Sequence, residues 1–299
     1  MTLKQLEAFY WAATSATFLV AAQRLHVSQS SLSKRIAELE GQLRCGLFDR
    51  GGHRAVLTEA GQKLLPLARR MLGLADEMRT QVAQSSGLQG HCRFGVGELA
   101  ALTWLPDFVA FVRAEYPDLV LEPYVDLGAA LEQRLDSGEL DFAVIAGYSS
   151  RSAIASEAIG EVRFAWAAAP ALVRRQRSVT ARLLQETALI TMPAGAGATR
   201  LLEHWLAVNN LEPGRRLTCN NLAAIAGLVA AGVGLGLFPH GWLRQMAERG
   251  AVVELRSRPP LPPLEYTFQW RRDDTRGLLA RMREAVAATA DFSKPNPIW

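Results

Sequence analysis

Over the first eighty residues apolar positions recur with a helical period; beyond them, short apolar runs alternate with amphipathic stretches. Leu6, Phe9 and Tyr10 mark a first helix over about 3–13, with Trp11 at the edge of its stripe. Phe18 to Leu25 is a second, short helix, and His26-Val27-Ser28 a turn. Ser28 predicts an N-cap, because its hydroxyl can accept a bond from an amide one turn in. From Gln29 to Arg44, the residues Leu32, Ile36, Leu39 and Leu43 fall in one arc of the helical wheel. Ser30, Ser33, Lys34 and Ala37 lie roughly opposite. That outer face is small, polar and positive near its start, as a helix bound for a DNA major groove must be.

Arg50 to Val56 reads as a basic hairpin, a wing, with Gly51-Gly52-His53 at its tip and Arg50, His53 and Arg54 within reach of phosphates or a minor groove. Thr58 then caps a long helix to about residue 84. Leu57, Gly61, Leu64, Ala68, Met71, Ala75, Met78 and Val82 repeat alternately four and three apart, the seam of a two-helix contact. Leu64, Ala68, Met71, Ala75, Met78 and Val82 are therefore expected to pair with a second copy of the chain in preference to packing on their own. Pro66 predicts a slight kink. Ser85-Ser86-Gly87 and Gly90 read as a hinge.

From His91 the grammar becomes strand, helix, strand. Strands are expected at 93–96, 120–125, 142–146, 161–168, 189–192, 234–238 and 266–270. Helices are expected at 102–116, 131–137, 181–185, 199–209, 222–231 and 276–290. This alternation means an α/β domain with parallel strands. Gly232 should end the helix before it in a left-handed conformation.

Charge sharpens the picture. The net charge is only +4, but residues 1–90 hold 11 Lys+Arg against 7 Asp+Glu, and the remainder balances. The whole excess sits on the segment with the helix-turn-helix, as a footprint for phosphate would. Three separated cysteines, Cys45, Cys92 and Cys219, argue against a disulfide framework and for a reducing compartment. Cys219 reads as a buried structural thiol. The N-terminus starts with a helix carrying Lys4 and Glu7 where a leader would be apolar, and no run is long enough to span a bilayer; a cytoplasmic protein without membrane contact is expected.

The segment from Ala21 through Ser28-Gln29 to Glu40, then Leu47-Phe48-Asp49-Arg50 and Leu57-Thr58-Glu59-Ala60-Gly61, resembles the LysR-type transcriptional regulators. The resemblance departs at Arg44, where the family often has glycine, and Gly46 is then expected to supply the turn. It implies an all-α N-terminal module and an α/β remainder: a winged helix-turn-helix over 1–58, a linker and dimerisation helix with hinge over 59–90, and an effector-binding domain over 91–299. It also implies that this domain has two subdomains like a type 2 periplasmic solute-binding protein, one of about 91–161 plus 267–299, the other about 162–266. Pro259-Pro260-Leu261-Pro262-Pro263 would make a stiff crossing between them. Double-stranded DNA, a small-molecule effector such as an organic or amino acid, and further copies of the chain, as dimer or tetramer, are the implied partners, with RNA polymerase admitted as another. DNA contacts would fall to Ser28, Gln29, Ser30, Ser33, Lys34, Arg50 and Arg54.

In open α/β sheets, ligands sit at the carboxyl ends of strands, where helix N-termini favour anions. The expected effector site is therefore Glu98, Leu99, Ala100, Thr103, Gly147, Gly195, Asn221, Phe238 and Pro239. Glu98 is either a ligand contact or a charge on its own helix start. Neither glycine-rich loop fits a nucleotide: Gly195 to Gly197 has Arg200 where a third glycine would stand. No cofactor or metal is expected, and no catalytic set emerges from the scattered histidines. Two other readings stay open: a solute-binding protein, and an α/β enzyme carrying a nucleic-acid-binding arm.

Overall fold

The computed structural model describes residues 1–49, 56–82, 88–174 and 176–294. The N-terminal module comprises α1 (Leu3–Thr14), α2 (Phe18–Arg24), α3 (Gln29–Leu43) and an antiparallel ribbon, β1 (Phe48–Asp49) with β2 (Val56–Leu57). Local side chains start each helix. Thr2 and Gln5 make a reciprocal capping box on α1. Thr17 accepts from Val20 N, and Ser28 from Ser31 N at 3.1 Å. Leu32, Ile36 and Leu39 are buried, as their spacing predicts, whereas Leu43 is 40% exposed. Arg44 itself, not Gly46, makes the turn after α3, with φ 54° and ψ 33°. Its side chain is exposed there and its amide still bonds the Glu40 carbonyl, which compensates in part for the left-handed backbone. The wing tip, 50–55, with Arg50, His53 and Arg54, lies outside the described residues, as do 83–87 of the expected hinge.

The long helix, α4 (Glu59–Val82), runs on through Pro66, and Thr58 accepts from Gly61 N at its start. Its apolar stripe divides in two. Ala68 is fully buried in the core of its own module, with Leu64, Leu65 and Leu72 packed against the same core. Ala68 therefore cannot face a second copy, and Leu64 is already partly buried against the same core. Leu67, Met71, Leu74 and Met78 stay exposed, a second stripe about 100° away.

The remainder forms two mixed α/β layers. The first holds β3 (Gly90–Val96), α5 (Glu98–Thr103), α6 (Leu105–Glu115), β4 (Leu119–Val125), α7 (Gly128–Asp136), β5 (Phe142–Ala146) and β6 (Ile154–Val162). The second holds β7 (Phe164–Ala168), α8 (Pro170–Val173), α9 (Ala181–Glu186), β8 (Ala188–Thr191), α10 (Gly197–Val208), β9 (Arg215–Thr218), α11 (Leu222–Ala230), β10 (Gly234–Pro239), α12 (His240–Glu248) and β11 (Val253–Leu255). β12 (Leu264–Arg271) and α13 (Gly277–Thr289) return to the first. Sheet orders are β4-β3-β5-β12-β6 and β11-β7-β10-β8-β9.

The sheets are not purely parallel. β12 re-enters from the second layer and runs antiparallel to both β5 and β6, while β7 runs antiparallel to β10 and β11. The expected strand 161–168 is in fact two, the end of β6 and all of β7, parted at Arg163 where the chain changes layers. The expected helix at 102–116 is likewise two, since Pro106 starts α6 afresh. Gly232 has φ 79° after α11, as expected of a left-handed cap. Cys219 is partly exposed, its thiol 3.8 Å from the Asn221 carbonyl, so it is not the buried thiol expected.

The N-terminal module docks on the first layer through a buried ionic seam. The Asp141 carboxylate, 3% exposed, pairs with Arg24 of α2 and with Arg276 before α13, and accepts from Arg93 N at 2.7 Å. Burial lowers the Arg24 pKa to about 10 despite Asp141 beside it. Burial also opposes the charge on Arg276, yet Asp274 and Asp141 hold its pKa well above the usual value. Trp11 is roofed by guanidinium groups, with Arg24 at 4.1 Å, Arg276 at 5.0 Å and Arg271 at 5.7 Å from its ring. Arg271 Nη1 donates to the Thr14 carbonyl at 2.5 Å, and Ala16 N to the Ser137 carbonyl at 3.0 Å. Trp11, an edge residue by its spacing, is thus the apolar floor of the seam.

Asp141→Ala should leave Arg24 without its carboxylate in a buried seam, while Arg276 keeps Asp274. It should cost about 3–5 kcal/mol, the usual penalty for breaking a buried pair, read as a lower midpoint in thermal or urea unfolding; an unchanged midpoint would show that the seam adds no net stability. Asp274 has its pKa lowered: burial raises it, but Arg276 outweighs that. Its contribution is therefore present above the ordinary aspartate pKa and should fade as pH falls through the depressed value.

Candidate nucleic-acid interface and interdomain cleft

The docked module keeps one face of α3 clear. Gln29, Ser30, Ser33 and Lys34 are exposed, opposite the buried Leu32, Ile36 and Leu39. Ser28 is exposed too, but its hydroxyl is occupied locally, 2.9 Å from both the Ser30 and Ser31 hydroxyls and accepting from Ser31 N. Its part is to start α3 and fix its angle. At the other end, Glu40 Oε1 accepts from Leu47 N at 2.7 Å and from Phe48 N at 3.3 Å, while Thr58 donates to the Gly46 carbonyl at 2.7 Å. These bonds tie the end of α3 to the ribbon strands that lead into the wing. The surface is positive through Lys34 and backed by a buried apolar core.

The expected cleft residues fall into two groups. In the first, Glu98 at the start of α5 reaches across to the second layer. Its Oε2 accepts from Leu222 N at 2.7 Å and its Oε1 from Asn221 Nδ2 at 2.9 Å. Asn221 in turn caps α11 by accepting from Ala224 N. Burial raises the Glu98 pKa above its ordinary value, and the Leu222 and Ala223 amides offset part of that rise. So Glu98 stands in the first turn of its own helix, as one of the two expectations had it, and also occupies the anion-favouring N-terminus of α11 in the other layer. Leu99, Ala100 and Thr103 are buried along α5. The Thr103 hydroxyl donates back to the Leu99 carbonyl at 2.7 Å, so its proton is already used within the helix.

In the second group, Gly147 closes β5 with φ 84°. Its carbonyl accepts from Thr267 Oγ1 at 2.7 Å and from Gln269 Nε2 at 3.0 Å. Arg200 on α10 spans the layers, donating to the Ala146 carbonyl at 2.7 Å and to the Gly195 carbonyl at 3.4 Å. Gly195 and Gly197 have a packing reason. A Cβ on Gly197 would collide with that of Ala146, and one on Gly195 would lie 3.3 Å from that of Ala129. Phe238 and Pro239 belong to neither group; they pair with Ala165 and Phe164 of β7, and both are buried. Spacing missed Arg200, Thr267, Gln269 and the Leu222 amide. Only Arg200 carried a signal, as a cation directly after a glycine-rich loop.

Among the described residues no helix is long and apolar enough to cross a membrane. Residues 3–62 match the model of the bacterial regulatory helix-turn-helix proteins of the lysR family, and residues 85–291 that of the LysR substrate binding domain. The chain is 28% identical over 281 residues to the HTH-type transcriptional regulator YwqM of Bacillus subtilis (strain 168), covering 91% of this chain and 94% of that protein. In fold it is similar to ArgP from Mycobacterium tuberculosis, with a TM-score of 0.65 at 22% identity over 95% of each chain. It is also similar to a full-length OxyR variant from Pseudomonas aeruginosa, with a TM-score of 0.64 at 21% identity over 96% of this chain and 94% of that one. With a lysR-family helix-turn-helix at its start and a LysR substrate-binding domain over most of its remaining length, the chain belongs to the LysR family of transcriptional regulators.

Proposed function

We propose that Gln29, Ser30, Ser33 and Lys34 read an operator in the major groove, with Ser28 setting the entry angle of α3. The observation that carries this is the free, small and polar face of α3 on a module whose opposite side is buried in the seam. By sequence, Arg50 and Arg54 of the wing supply backbone or minor-groove contacts. Regulation on this reading works by binding alone, without turnover, in the cytoplasm. The domain limits stay as the sequence places them, at 58 and 90.

The pairing surface of α4 is the exposed stripe Leu67, Met71, Leu74 and Met78, spaced four, three and four. That spacing suits a helix from a second copy. Met71 and Met78 keep the role their periodicity gives them, Ala75 flanks it, the side chain of Val82 lies outside the described ones, and Leu64 and Ala68 belong to the module core.

The effector site is the cleft between the two α/β layers. An effector carboxylate would compete with Glu98 for the Leu222 and Ala223 amides, and with the Ala146 and Gly195 carbonyls for Arg200. Leu99, Ala100, Thr103, Gly147 and Asn221 would form the walls, with Phe238 and Pro239 on the strand behind. A ligand that takes these partners trades interlayer bonds for its own and so shifts the angle between the layers.

Three outcomes check this reading. Lys34→Ala should weaken operator binding and reduce the slope of log K against log salt by about one if it neutralises one phosphate; Ser33→Ala should instead alter discrimination between operators at an unchanged slope. A Met71→Glu/Met78→Glu double variant should lose the dimer in light scattering while its winged module stays folded, because those side chains are exposed in one chain; an intact dimer would remove the stripe from the interface. In a thermal-shift screen of small organic and amino acids, a stabilising metabolite should lose its effect in Arg200→Met, whose cleft lacks the cation. Equal shifts in both proteins would put the effector elsewhere.

A further inference from the structure

The seam between the winged module and the first α/β layer holds a group of side chains that neither DNA reading nor the cleft uses. His26 sits in the turn between α2 and α3, with φ 50°. His91 lies on β3, and Glu122 on the neighbouring β4, where it faces Arg93 across the parallel ladder. The His26 and His91 rings stack with centroids 3.9 Å apart, inclined at 37°. His91 Nδ1 lies 2.5 Å from Glu122 Oε1. One ligand atom from each of the three residues falls within 4.8 Å of the other two.

From this juxtaposition we propose that His26, His91 and Glu122 form a site for a divalent transition-metal ion that clamps the DNA-binding module to the sensor domain. Two imidazoles and a carboxylate are the donor set of three-ligand zinc sites, with a fourth position left to water. Imidazole donors favour zinc, cobalt, nickel and copper over magnesium or calcium.

The surroundings favour a cation. Arg93 already places one there: its Nη2 is 3.4 Å from His26 Nε2 and its Nε 3.0 Å from Glu122 Oε2. The His26 lone pair and the carboxylate therefore both point into the seam. A metal must displace the contact of Arg93 with His26, while the bond of Arg93 to Glu122 Oε2 can remain and orient the ligand from outside. The rings must open from their stack until a nitrogen of each lies about 2.0–2.1 Å from one ion. Both histidines are exposed, so they have room to turn.

The consequence is mechanical. One ligand belongs to the helix-turn-helix, at the turn that leads into α3, and two belong to the first strand pair of the sensor. An ion there would fix the direction of the recognition helix against the sensor, independently of the cleft.

The test uses the full-length protein and Co²⁺ as a spectroscopic probe, with Zn²⁺ as competitor. One equivalent of Co²⁺ per chain should bind with visible absorption bands of four-coordinate nitrogen and oxygen ligation, and Zn²⁺ should abolish them. His26→Ala and His91→Ala should each weaken binding at least tenfold, and Glu122→Gln by a smaller factor, while His240→Ala leaves it unchanged. All three positions are wholly or partly exposed, and circular dichroism will confirm that the variants fold. Absence of the bands, or equal affinity in a His26→Ala/His91→Ala double variant, overturns the proposal. The readout is metal binding alone, so failure here leaves the DNA and effector readings standing.

Discussion

One buried carboxylate governs where the DNA-binding module sits. Asp141 lies just before a fully buried central strand, where an unpaired charge would be very costly. Its partners come from three places: Arg24 from the helix-turn-helix, Arg276 from the terminal helix, and the Arg93 amide from the first strand of the sensor. Arg24 is itself largely buried with Asp141 as its carboxylate partner, while Arg276 shares Asp141 with Asp274. Trp11 closes the arrangement from below, giving the guanidinium groups a flat apolar surface instead of water. The module therefore sits on the sensor with a defined orientation, and α3 points away from the contact. The seam thus joins the helix-turn-helix to the first layer without the linker.

The long helix serves two packing problems at once. Gly61, Leu64 and Ala68 face inward, and Gly61 lets the helix approach the Leu47 carbonyl more closely than any side chain would allow. About a quarter-turn round, Leu67, Met71, Leu74 and Met78 face water in the single chain. Methionine suits such a surface, since an unbranched and polarizable side chain adapts to a partner helix. Near Ala68 the helix is anchored in its own module; toward its end it offers an apolar edge that one chain leaves uncovered.

In the cleft, the bonds between layers are made by groups that a small acid could replace. Glu98 lends its carboxylate to the start of α11, and Arg200 lends its guanidinium to the end of β5. For Glu98, burial raises the pKa. The glycines at 195 and 197 keep the layers close enough for these bonds to form.

Much of the winged module was legible in the sequence, because its signals are local. Ser28 as a cap, the Leu32-Ile36-Leu39 stripe and the Thr58 start each depend on residues within a turn or two, and periodicity reports those faithfully. The α/β alternation was legible for the same reason. The two-layer plan was readable only through family resemblance, since strand order depends on where crossovers land; the split at Arg163 and the reversal of β12 leave no local trace. Periodicity also could not divide the apolar stripe of α4 between its own core and a partner, because a helix face carries no label for what covers it. The roles of Asp141, Arg200 and Trp11 were hidden altogether. Each is an ordinary residue in its own segment, and each meets at least one partner more than fifty positions away, brought to it by the tertiary fold.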